Sequence, residues 1–141
     1  MAYQQTSVQA YRQTSVKTAS QGRVIVMLYD EAIRQLDTAV KLLDDNSKQL
    51  DKVNNAVLKA QDVVTELMVS LDMDQGGDIA QNLFRLYLYF NDTLRDANFK
   101  KDSEAMRKVR TLLANLRDAW KQIENTAVSR PTPASGLNIA G

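Results

Sequence analysis

Cysteine and histidine are both absent from this chain. No disulfide can staple the fold, so nothing points to an oxidising compartment. No thiol nucleophile, no Cys/His zinc site and no histidine general base can be built. The Glu-x-x-His pairs of ferritin-like di-metal bundles are excluded as well. The residue inventory therefore predicts no enzyme, no metal and no cofactor. Charge of one sign is also lacking: eighteen Lys and Arg stand against seventeen Asp and Glu. A nucleic-acid binder shows a basic surplus or stripe, and neither is present. No stretch approaches the ~20 apolar residues needed to cross a bilayer. The first twenty residues are polar, without an apolar run of signal-peptide length. The expected location is the cytoplasm, with no membrane partner. Glycine and proline are scarce, at five and two residues, and aromatics make up only 6%. That combination favours an all-α protein over a sheet.

What is present is helical periodicity. The 141 residues suit one domain. After Ser20, a good N-cap, apolar residues recur at Ile25, Leu28, Ala32, Leu36, Ala39 and Leu43. Steps of three and four are the helical period. This predicts a first helix over 21–44, ended at Asp44-Asp45-Asn46, whose side chains compete for backbone hydrogen bonds. A second helix is expected over 48–73, with Val53, Val57, Ala60, Val64, Leu67 and Leu71 as its seam and Gly76-Gly77 as its stop. Asp78 is the expected N-cap of a third helix over 79–99, with Ile79, Leu83, Leu86, Phe90, Leu94 and Ala97 on one stripe. Asp102 or Ser103 caps a fourth over 103–125, carrying Met106, Val109, Leu113, Leu116, Trp120 and Ile123. Short connections favour antiparallel neighbours. The expected fold is an all-α, antiparallel up-down four-helix bundle over 20–125, with a flexible arm over 1–19 and a flexible tail over 126–141. Its core should include Leu28, Ala32, Leu36, Val57, Val64, Leu67, Leu83, Phe90, Leu113, Leu116 and Trp120.

Several features invite a functional reading and resist it. Asp30 and Glu31 are adjacent, so they point about 100° apart on a helix and do not converge for acid–base work. A solvated or salt-bridging role fits them better. The cations of the fourth helix, among them Arg107, Arg110 and Arg117, are read as a solvated face. Gly76-Gly77 is a turn and not a phosphate loop. In the arm, Tyr3-Gln4-Gln5-Thr6-Ser7-Val8 returns as Tyr11-Arg12-Gln13-Thr14-Ser15-Val16. This is either low-complexity drift or a pair of similar segments, each offering a Tyr and a Val.

The third helix is the informative one. Phe84, Tyr87 and Leu88 widen its apolar surface beyond one bundle seam. These residues either pack against a neighbouring helix or the arm, or line a groove for an amphipathic partner helix. Tyr87 and Tyr89 suit a groove rim, with an apolar ring and a polar tip. The groove is expected on the second and third helices, from Val63, Leu67, Met68, Leu83, Leu86, Tyr87 and Tyr89.

Taken in order, several segments resemble the flagellar secretion chaperone FliS family. They are Tyr11-Arg12-Gln13-Thr14-Ser15-Val16-Lys17-Thr18-Ala19-Ser20, Met27-Leu28-Tyr29-Asp30-Glu31-Ala32-Ile33 and Ala60-Gln61-Asp62-Val63-Val64-Thr65-Glu66-Leu67. Gly76-Gly77-Asp78-Ile79-Ala80-Gln81-Asn82-Leu83, Leu86-Tyr87-Leu88-Tyr89 and Leu116-Arg117-Asp118-Ala119-Trp120-Lys121 continue the set. Gln21 stands where that family usually has proline, and Glu31 where glycine is common. The resemblance implies a cytoplasmic chaperone that binds the C-terminal helical segment of flagellin, prevents premature polymerisation and delivers it to the flagellar type III export apparatus. It further implies that the arm around Val8, Tyr11 and Val16 covers part of the groove until the client arrives. The alternative from another class is a structural bundle that self-assembles through the third helix, and a weak homodimer stays open beside it.

Overall fold

The structure is a computed structural model and describes residues 21–129, with side chains through Glu124. The arm residues, Ser20 and the last twelve residues of the tail (130–141) lie outside the described residues. The described part is an all-α four-helix bundle: α1 (Gln21–Asp44), α2 (Leu50–Val69), α3 (Met73–Lys100) and α4 (Ser103–Ser129). Each helix packs on its sequence neighbours, and α1 closes the ring on α4. Helix α1 is the most deeply embedded, while α3 is held more lightly, least of all by α4.

The ends of the helices follow from local chemistry. Helix α1 stops where Asn46 takes a left-handed φ of 56°, a conformation that Asn tolerates better than most residues. Helix α4 is capped by Asp102, whose carboxylate accepts from the backbone N–H groups of Glu104 and Ala105 at 3.1 Å. It runs on to Ser129, past the expected end near 125.

The corner between α2 and α3 differs from expectation. Helix α2 ends at Val69 rather than 73. The N-cap of α3 is Asp72, not Asp78, and accepts from Asp74 N–H at 3.1 Å and Gln75 N–H at 3.0 Å. The turn Met73–Gly76 thus belongs to α3, joined to the rest across a kink at Gly77 (φ 54°, ψ −132°). Only glycine adopts such a backbone without strain. Gly76 is constrained differently: a Cβ there would lie 2.6 Å from Ala80 Cβ.

The core runs the length of the bundle through Leu28, Ala32, Leu36, Val57, Val64, Leu67, Phe90, Leu94, Met106 and Leu113. Trp120 is buried as expected. Leu83 and Leu116 are half-buried and pack on the core's edge.

Candidate functional site

Two seams of the bundle are closed by polar contacts. On the α1–α4 seam, Arg23, Asp30, Asp37 and Asp44 recur every seven residues, two helical turns apart. They meet Glu124 at 3.6 Å, Arg117 at 2.7 Å, Arg110 at 2.8 Å and Arg107. The helix-four cations expected to be a solvated face are therefore largely a cross-helix ladder. Asp30 and Glu31 diverge as expected: Asp30 turns to Arg117, and Glu31 accepts from Arg34 at 2.7 Å and from Gln35 at 2.8 Å. On the α2–α3 seam, Asn98 donates to Asn54 at 2.8 Å and Asn91 donates to Thr65 at 3.1 Å. Gln61 donates to the Asn91 carbonyl at 3.3 Å. Lys101 closes the end of this line by donating to the Asn98 side chain at 2.6 Å. Asp62 of α2 has a carboxyl pushed up from its ordinary range by burial.

These contacts orient α3. Asn91 and Asn98 mark its α2-facing flank, and Phe90 and Leu94 point to the core. At 100° per residue, Phe84 and Leu88 fall on the α2 flank. Leu83 falls between Phe90 and Leu94 on the core face, and Ile79 and Leu86 fall on the α4 side of Phe90. Tyr89 lies farther out, with its ring 6.1 Å from that of Phe90. Exposure is high for apolar residues: Ile79 is 54% and Tyr89 53% accessible, and Leu88 is exposed too.

The seven expected groove residues therefore do not share one surface. Val63, Leu67 and Tyr87 are buried within the core, whereas Met68, Leu83 and Leu86 are half-buried around it. Tyr89 alone is fully on the surface. Tyr87 is a correction to the rim reading, at 1% accessibility. Its hydroxyl meets that of Tyr29, and the Trp120 side chain bears on the same Tyr29 hydroxyl. Burial pushes the Tyr87 phenol up to about 12 and raises Tyr29 as well, the latter further through its neighbour Tyr87. Both phenols are neutral at physiological pH, so the site offers apolar surface and neutral hydrogen bonding rather than acid–base chemistry. Residues 8, 11 and 16 of the arm lie outside the described residues. Sequence reasoning missed Leu112 of α4, which is exposed, as is Ile123 of the expected stripe. The four-residue spacing of Leu112 from Leu116 was the available signal.

An α3 that is apolar on both flanks of a bundle of this size fits the expected family, and comparison with known proteins decides it. The profile described as "Flagellar protein FliS" matches residues 3–127. The chain belongs to the FliS family. It is 35% identical to the flagellar secretion chaperone FliS of Salmonella typhimurium over 130 residues, which covers 89% of this chain and 95% of that protein. The FliS of Escherichia coli is 34% identical, covering 85% of this chain and 90% of its own length. The Bacillus subtilis FliS is 29% identical, with 80% and 82% covered. These relatives are named as secretion chaperones and not as enzymes, and the chain's place in the FliS family makes it a chaperone of flagellar export. Among the described residues, no helix is long and apolar enough to cross a membrane.

Proposed function

We propose that this protein is a cytoplasmic export chaperone that binds the C-terminal helical segment of flagellin and holds it unpolymerised. It then delivers the segment to the flagellar type III export apparatus. The observation that carries this reading is α3, a helix with apolar residues on both flanks and its outer edge, only part of which the bundle covers. A detached amphipathic segment exposes apolar surface and associates with its own kind. Burying that surface on α3 gains roughly 25 cal/mol per Å², less the cost of ordering the segment. In this reading Met68, Leu83, Leu86 and Tyr89 touch the client. Val63, Leu67 and Tyr87 form the floor that holds them. The arm, through Val8, Tyr11 and Val16, competes for the same surface.

Titration calorimetry of the full chain with a peptide of the flagellin C-terminal region tests this. A 1:1 complex is expected. Homo-oligomers that the peptide leaves unchanged would assign the apolar surface to self-assembly and overturn the reading.

A further inference from the structure

Two buried side-chain oxygens among the described residues have no hydrogen-bond partner: Asp62 Oδ2 of α2 and Asn91 Oδ1 of α3. Thr65 links them. Its hydroxyl accepts from the Asn91 amide at 3.1 Å, and it follows Asp62 by three residues, so the two share a side of α2. At 100° per residue, Asp62 lies about 160° around α2 from the core residues Ala60 and Val64. The residue is nonetheless half-buried, and burial pushes its carboxyl up. Neither α1 nor α3 answers Oδ2 with a donor. A native fold rarely leaves a buried carboxylate oxygen unmet, because its lost hydration is then uncompensated.

The chain holds a donor of the right kind within reach. Residues 1–20 contain no Asp or Glu, and their charged side chains are Arg12 and Lys17. Arg12 is also the one difference between the two copies of the repeat, which has Gln4 at the matching place. A guanidinium offers five N–H donors in a fixed fork that matches a carboxylate, whereas a glutamine amide brings no charge. The short connection between α1 and α2 makes them antiparallel, so Gln21 and Val69 lie at the same end of the bundle. Asp62 is seven residues, ~10 Å, in from that end. The nine steps from Gln21 back to Arg12 span up to ~30 Å when extended.

We infer that Arg12 docks the second copy of the repeat on α2 by donating to Asp62 Oδ2, with Asn91 Oδ1 as a further acceptor on the same seam. The occupant of this site is therefore residues 11–16 of the chain itself. The first copy, with the neutral Gln4, leaves the carboxylate without a counter-charge. The pair thus sets which of two otherwise identical segments lies against the bundle. No client enters the inference, and it stands or falls separately from the chaperone reading.

The test is nitrogen-15 relaxation NMR on the full chain without client, with circular dichroism to check the fold. In the wild type, the backbone of residues 11–16 should show order parameters near ~0.85, as rigid segments do. Asp62→Asn and Arg12→Gln should each lower them below ~0.6. Arg12→Gln makes the two copies identical and lies outside the bundle, so it cannot act by unfolding the helices. Lys17→Gln should leave the order as in the wild type. The reversed pair, Asp62→Arg with Arg12→Asp, should restore the order that either single reversal removes. Residues 11–16 that are mobile in the wild type, or equally ordered in every variant, would overturn the docking. Order lost in Lys17→Gln and kept in Arg12→Gln would overturn the choice of donor. Residues 3–8 as ordered as 11–16 in the wild type would overturn the selection between the copies.

Discussion

The Tyr29 hydroxyl of α1 meets the Tyr87 hydroxyl of α3 in the middle of the bundle, with the ring centroids 6.4 Å apart. Helices α1 and α3 are diagonal in the ring, so this pair reaches across the core where no backbone contact does. Trp120 adds α4 to the same point.

Tyr87→Phe removes one member and leaves the Tyr29 hydroxyl short of a partner in a buried place. The expected cost is about 1–3 kcal/mol in urea unfolding. The double change Tyr29→Phe with Tyr87→Phe should cost less than the sum of the two singles, because no orphan remains. Strict additivity would show that the two hydroxyls are not coupled.

The same pair sets a limit at high pH. Tyrosine in the unfolded chain ionises near 10, whereas Tyr87 in the fold ionises at about 12 and Tyr29 is also raised. The folded state holds its protons more tightly, so this stability is fully present below pH 10. It is lost as pH rises from there through the folded value. Alkaline unfolding should therefore set in above pH 10 and be shallower in Tyr87→Phe. An identical pH profile for wild type and variant would refute the linkage.

The α1–α4 ladder should matter less than its regularity suggests. Its partners are partly exposed, and such pairs contribute about 0–1 kcal/mol each. A double-mutant cycle on Asp30 and Arg117, which sit 2.7 Å apart, should give about 0.2–1 kcal/mol and shrink in high salt. A coupling several times larger would mean that the ladder holds the bundle together, rather than setting the register of α1 on α4.

Gly77→Ala tests the kink. Alanine would be forced to φ 54° and ψ −132°, at a cost of about 1–3 kcal/mol. Nothing lies within 4 Å of an added Cβ there, so the loss would come from the backbone alone. Gly76→Ala should also destabilise, but through the 2.6 Å approach to Ala80. An unchanged unfolding midpoint for Gly77→Ala would place the α3 kink elsewhere.

Periodicity and capping chemistry made most of the bundle legible. The steps from Leu28 to Leu36 and from Met106 to Leu113 are core lines as read, and Asp102 caps α4 as expected. The α2–α3 corner was not legible, because Leu71 keeps the apolar rhythm going beyond the true end of α2 at Val69. Asp72, a favoured N-cap residue type directly before Met73, was the competing signal. Tyr87 misled for a different reason. Its polar tip suits a rim, and the partner that lets it be buried is Tyr29, far away in sequence and visible only in three dimensions. The ladder was half legible: Asp30, Asp37 and Asp44 show the seven-residue spacing, but nothing in one helix names the arginines that answer it. As a result, a charge at Tyr87 would probe folding, and the surface test passes to Tyr89.

The last prediction concerns the arm and rests on the chaperone reading. An arm that covers the client surface is an intramolecular competitor, and its short tether gives it a high effective concentration. It nevertheless buries only a few side chains, so a long client segment displaces it. Two consequences of opposite sign follow. Deleting residues 1–15 should expose apolar surface and increase dye binding or aggregation of the free protein. The same deletion should tighten client binding, because nothing must then be displaced. The repeat of Tyr3 to Val8 as Tyr11 to Val16 adds a refinement. If either copy can cover the surface, Tyr11→Ala alone changes affinity little, and Tyr3→Ala together with Tyr11→Ala changes it more. Calorimetry on the deletion and the two alanine variants measures all of this. A deletion that weakens client binding while the bundle stays folded would make the arm part of the binding surface, and the competitor role would be wrong.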